Sequence, residues 1–64
     1  MKAFVVERYD FGEWIYSSDH GDKDYAIYNA DVISKSRKCR ARVLEAGELI
    51  YEPPWDKLSE LFDG

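Results

Sequence analysis

The chain has 64 residues, 13 acidic and nine basic, for a net charge of −4; its one cysteine and one histidine exclude an internal disulfide and a Cys/His zinc site. A chain of this length forms one domain at most, residues 1–64, and buries only about 60% of the surface it exposes when unfolded, so it must lean on its core, on self-association or on a partner. No window holds the ~20 apolar residues of a membrane span, and Met1-Lys2-Ala3-Phe4-Val5-Val6-Glu7-Arg8 meets a charge too early for an export signal; with the lone Cys39, this points to a cytoplasmic setting.

Taken in order, Lys2 to Tyr9 has the strand formers Phe4, Val5 and Val6 at its centre and predicts a first strand. Asp10-Phe11-Gly12-Glu13 is turn chemistry, and Trp14 to Ser17 a short aromatic strand. Ser18-Asp19-His20-Gly21-Asp22-Lys23-Asp24 is the most polar run and predicts an exposed loop. In Tyr25 to Ile33, Ala26, Tyr28, Ala30 and Val32 share one parity, which predicts a third strand after which Ser34-Lys35-Ser36 turns the chain.

The cleanest alternation follows. Cys39, Ala41 and Val43 fall on one parity and Lys38, Arg40 and Arg42 on the other, an apolar face backed by a basic one. Leu44 to Leu49 reverses the chain at Gly47, which supplies a positive φ, and Leu49 and Tyr51 alternate with Glu48, Ile50 and Glu52 on the return. Pro53-Pro54 stops the sheet, and Pro54 to Phe62 sets Trp55, Leu58, Leu61 and Phe62 at helical spacing. The pattern predicts a mainly β fold: a small five-stranded antiparallel SH3-like barrel with a short C-terminal helix. The competing arrangement is α+β, with a helix at 30–46 capped by Gly47 and packed on a four-stranded sheet.

The order of features resembles the Tudor family. An aromatic strand, a polar loop with Asp and Gly, and Tyr28-Asn29-Ala30-Asp31-Val32-Ile33 are similar to that family's first strands; Ala41 to Glu48 looks like its second strand pair, and Leu58-Ser59-Glu60-Leu61 like its closing turn. The resemblance implies a barrel whose aromatic cage holds methylated Lys or Arg by cation–π contact. Trp14 or Tyr16, and Tyr28, match cage positions; Ala46 stands where an aromatic precedes the turn glycine, and Glu48 where Asn follows it.

Five of the nine basic residues, Lys35, Arg37, Lys38, Arg40 and Arg42, fall within eight positions and form a basic ridge on an otherwise acidic chain. Such a ridge suits phosphates, single-stranded nucleic acid or an acidic protein surface, or is an outer face balanced by Glu45, Glu48 and Glu52 across the hairpin. The spacing of Asp19, Asp22 and Asp24 is wrong for a calcium loop, and His20 has no nucleophile or second histidine beside it. Cys39, on the apolar parity, predicts a buried small hydrophobe.

Ten aromatics exceed what a core of this size holds, so some of Tyr9, Phe11, Trp14, Tyr16, Tyr25 and Trp55 are expected at the surface, where Tyr and Trp anchor interfaces. The expected function is a non-enzymatic protein-binding module that docks on, and inhibits or regulates, a larger macromolecule. It would use Trp14, Tyr16, Tyr25 and Tyr28 with charged contacts from Lys35, Arg37, Lys38, Arg40 and Arg42, and would need no cofactor and no metal. A nucleic-acid-binding barrel using the ridge and a Tudor-like reader of methylated peptides are the alternatives.

Overall fold

A computed structural model describes residues 3–54. It contains β1 (Phe4–Asp10), β2 (Glu13–His20), α1 (Lys23–Arg37), β3 (Ala41–Glu45) and β4 (Glu48–Tyr51). The strands form one antiparallel sheet in the order β2-β1-β3-β4. The sheet is open, with four strands, and α1 lies across one face. This corrects the expectation of a five-stranded SH3-like barrel. The competing α+β arrangement has the right layers, but its helix at 30–46 is misplaced: the helix covers Lys23–Arg37, and residues 41–45 are a strand.

Tyr25 to Ile33, expected as a strand, is the body of α1. Ala26, Ala30 and Ser34 are its buried residues, with Ile27 and Ile33 packed at their flanks. A spacing of four residues satisfies both a strand's alternation and a helix's pitch, so Ala26 and Ala30 fit either. Tyr28 and Val32 decide the matter: both are exposed, on the side of the helix away from the sheet. The loop expected over Ser18 to Asp24 shrinks accordingly. Ser18, Asp19 and His20 finish β2, and Lys23 and Asp24 begin α1.

The core is small side chains pressed between two layers. Phe4 and Val6 of β1, Ala41 and Val43 of β3, and Ala26 and Ala30 of α1 are buried, and Ile50 and Tyr51 pack against them. Alanines at the contact bring the helix backbone close to the sheet. The expected alternation holds where β3 forms: Ala41 and Val43 face the helix while Arg42 faces away. Tyr9 N–H donates to the Arg40 carbonyl at 2.8 Å and carries the β1–β3 pairing beyond Ala41. Lys38 does not join the strand, because its backbone turns left-handed to end α1, and its N–H returns to the Ser34 carbonyl.

Two one-residue slips reassign faces. Val6 pairs with Ser18 but Glu7 with Tyr16, so Ser17 is an extra residue in β2. Val43 pairs with Tyr51 but Leu44 with Leu49, so Ile50 is an extra residue in β4. Leu49 therefore faces away from the helix and Tyr51 toward it, correcting the expectation that they share a face.

Both hairpins turn on a pair of left-handed residues: Phe11 (φ 53°) with Gly12 (φ 79°), and Ala46 (φ 52°) with Gly47 (φ 82°). Paired positive φ values define the two-residue turn that matches strand twist, for which Asn-Gly is the preferred sequence. Gly47 does what its position predicted. Alanine is strained in this conformation, as is Lys38 (φ 52°) at the helix end. Ala46→Asn and Lys38→Gly are each expected to raise stability by about 0.5–1 kcal/mol, read as a higher urea midpoint with an unchanged slope.

Tyr51 ties sheet to helix: its hydroxyl donates to Asp31 Oδ1 at 2.8 Å. This hydrogen bond, then burial, then the Asp31 charge push the phenol above its ordinary value of 10.0. The fold thus favours the protonated phenol. The stabilisation is fully present below the unfolded tyrosine's pKa and is lost as pH rises through the folded one. Urea midpoints are expected to hold steady up to about pH 10 and to fall beyond it, with a shallower fall in Tyr51→Phe. Tyr16, whose hydroxyl donates to Asp19 Oδ2 at 2.6 Å, shifts in the same direction, so Tyr16→Phe is the companion variant. The amphipathic stretch Pro54 to Phe62, with Trp55, lies outside the described residues beyond Pro54.

Candidate functional site

The face of the sheet opposite α1 gathers residues from every strand. Val5, Glu7 and Tyr9 come from β1 and Trp14 and Tyr16 from β2, with Asp19 on the same side after the Ser17 bulge. Arg42 and Leu44 come from β3 and Leu49 from β4, with Arg40 and Glu52 just outside the paired segments.

Its centre is an aromatic–arginine stack. Tyr9 and Trp14 are cross-strand partners, and their rings meet edge-on at 5.2 Å. The Arg42 guanidinium lies 4.1 Å from the Trp14 ring centroid. Arg40 lies 5.2 Å from Trp14 and 5.9 Å from Tyr9, so two cations lie against one indole. Each arginine is also ion-paired. Arg42 reaches Glu7 Oε1 through Nε at 2.7 Å and Nη2 at 2.6 Å, and Arg40 reaches Glu52 Oε2 through the same two nitrogens at 2.8 Å. Cation–π contacts of this kind contribute roughly 0.5–2 kcal/mol each. The Arg42–Glu7 pair is half-buried, which restricts both rotamers and keeps the guanidinium against the indole.

Around this rigid centre the surface is accessible and apolar. Tyr16 is 57% exposed, Leu49 55% and Tyr9 38%. Phe11, at the tip of the β1–β2 hairpin beside the stack, is 88% exposed. Its left-handed backbone is one that Asn or Gly would occupy with less strain, and its N–H donates to Asp10 Oδ1 at 3.0 Å.

The expected site residues thus divide between two surfaces. Trp14, Tyr16, Arg40 and Arg42 converge on the sheet face. Tyr25 and Tyr28, stacked at 6.4 Å, and Lys35 lie on the outer side of α1, while Arg37 and Lys38 end that helix. The basic ridge is broken: two of its members are neutralised on one layer, and three sit on the other. Glu52 is the counter-ion expected across the hairpin; Glu7, from β1, was not foreseen. Trp14 and Tyr16 lie on the opposite layer from Tyr28, so these three do not meet in a cage.

The remaining candidates are placed apart. Asp19 is on the sheet face, Asp22 precedes α1 with extended backbone, and Asp24 is in the first helical turn. Among the described residues, no group of three or more His, Cys, Asp or Glu is positioned to hold a metal. His20 shares a 2.9 Å hydrogen bond with Ser18 Oγ and meets the Tyr25 ring edge-on at 4.9 Å. Cys39 is half-buried rather than fully buried. Burial raises its thiol pKa and Asp10 adds to the shift, against the lowering influence of Arg37 and Arg8, which disfavours the reactive thiolate. No described helix is long and apolar enough to cross a membrane.

Comparison with protein-family models, curated proteins and solved structures gives no match for this chain.

Proposed function

We propose that the protein is a non-enzymatic binding module whose sheet face opposite α1 docks on a protein partner, in a cytoplasmic setting consistent with the lone Cys39. The observation that carries this reading is the stack of Tyr9, Trp14, Arg40 and Arg42, ringed by exposed Tyr16, Leu49 and Phe11. Pre-organised aromatics and arginines with their rotamers fixed are the residue types that anchor protein interfaces. Phe11 supports the reading separately. It holds a large apolar ring, 88% exposed, at a turn position that Asn or Gly would occupy with less strain.

A protein partner is favoured over nucleic acid by the ion pairs. Phosphate would have to displace Glu7 from Arg42 and Glu52 from Arg40, and both carboxylates would then face the phosphate backbone. Docking on and regulating a larger protein requires no such rearrangement.

The test places a photo-crosslinking residue at position 16, on the sheet face, and separately at position 28, on the outer side of α1, in the full chain. The expected result in nuclease-treated host lysate is a discrete protein adduct from position 16 that Phe11→Asn reduces. Adducts that vanish on nuclease treatment select the nucleic-acid reading, and equal adducts to the same foreign protein from both positions, as distinct from adducts between two copies of this chain, overturn the assignment of the face.

A further inference from the structure

We propose that α1 is a second interface, through which two copies of this chain pair antiparallel about a two-fold axis. The outer side of an amphipathic helix is ordinarily polar. In α1 the pole directly opposite Ala26 and Ala30 is formed by Tyr25, Tyr28 and Val32, which are 54%, 63% and 42% exposed. Their spacing of three and four residues places them in one stripe along the helix. Tyr25 and Tyr28 already stack on each other, and Tyr25 is braced by the edge-on His20 ring, so the ridge is ordered before it meets anything.

The charges along this stripe select a second copy as the occupant. Asp24 lies in the first turn of α1, and Lys35 and Arg37 in the last. At 100° per residue, Asp24 and Lys35 fall on the same flank of the stripe. Neither has an ion-pair partner among the described residues. When two such helices run antiparallel, like flanks face each other. Asp24 then meets the partner's Lys35, and Lys35 meets the partner's Asp24.

The apolar residues obey the same symmetry. Ala30 is the sequence midpoint both of Tyr28 and Val32 and of Tyr25 and Lys35. A two-fold axis at that level places Tyr28 against the partner's Val32 and Tyr25 beside the partner's Lys35, whose ammonium can lie over the phenol ring. A parallel pair would leave Asp24 about 16 Å along the axis from the partner's Lys35 and on a flank facing away from it, and so lacks this pairing. The helix is 15 residues, about 22 Å, so the contact lies at the low end of specific interface sizes and the dimer depends on concentration.

Sedimentation equilibrium of the full chain over a concentration series up to about millimolar tests this, in the range set by a small interface. The expected result is reversible monomer–dimer behaviour. Val32→Glu, on the exposed side of a helix whose core contacts are untouched, should give monomer with unchanged circular dichroism. Lys35→Asp should weaken dimerisation by about tenfold or more, and the swap Asp24→Lys with Lys35→Asp should recover it. A monomer at every concentration overturns the proposal. So does a dimer that survives Val32→Glu, or one whose single charge reversal is not rescued by the swap. The sheet-face reading is untouched by any of these outcomes, because its crosslinks come from the other layer.

Discussion

Val43→Ala is expected to lower the melting temperature by roughly 10–20 °C. Val43 has no exposed surface, and the central strand β3 presents it to α1 between Val6 and the helix alanines. The substitution removes two methyl groups, worth about 0.8 kcal/mol each in transfer, and leaves a cavity that adds to the loss, for about 2–3 kcal/mol in all. A domain of this size holds roughly 3–9 kcal/mol in total, and each kcal/mol moves the midpoint by about 4–8 °C. Val6→Ala should behave alike, since Val6 is the cross-strand partner of Val43. Thermal unfolding followed by circular dichroism measures both. A shift of only a few degrees would mean that the helix does not rest on this part of the sheet.

Trp14→Ala is expected to weaken partner binding by about 2–4 kcal/mol, roughly 30- to 1,000-fold, while the chain stays folded. The indole is where the cross-strand contact with Tyr9 and both guanidinium contacts meet. Its removal frees Arg40 and Arg42 to follow their glutamates alone, and the proposed docking surface loses its ordered centre. Arg40→Ala should do less, mainly slowing association, because Arg42 still covers the ring. Titration of the crosslinked partner, once isolated, against the two variants gives the ordering. If Arg40→Ala proves the more damaging, charge rather than the aromatic platform carries recognition.

How much of this was legible in the sequence depends on the range of the interactions. The hairpin at Ala46-Gly47 and the inward Ala41 and Val43 against outward Arg42 are local patterns and were readable. The helix was not, because its two buried alanines are four residues apart, a spacing that strand and helix share, and because Tyr28 and Val32 occupy the outer pole where charges usually advertise a helix. A strand of small and aromatic residues was the natural misreading. The proposed docking face was half visible. Trp14, Tyr16, Arg40 and Arg42 stand out by type, but Glu7 joins Arg42 from 35 residues away, through a β1–β3 pairing that no local window contains. The extra residues Ser17 and Ile50 leave no sequence signal either, yet they decide which side chains reach each face.

Those two slips fall in β2 and β4, the outermost strands of the sheet. An uninterrupted border strand offers its unpaired amides and carbonyls to any neighbouring molecule, and stacking of such borders builds fibrils. Here each border is bent where a continuous ladder would need it straight. The two register shifts therefore oppose fibril-type stacking through the sheet borders, and a deletion of Ser17 would remove that protection at β2.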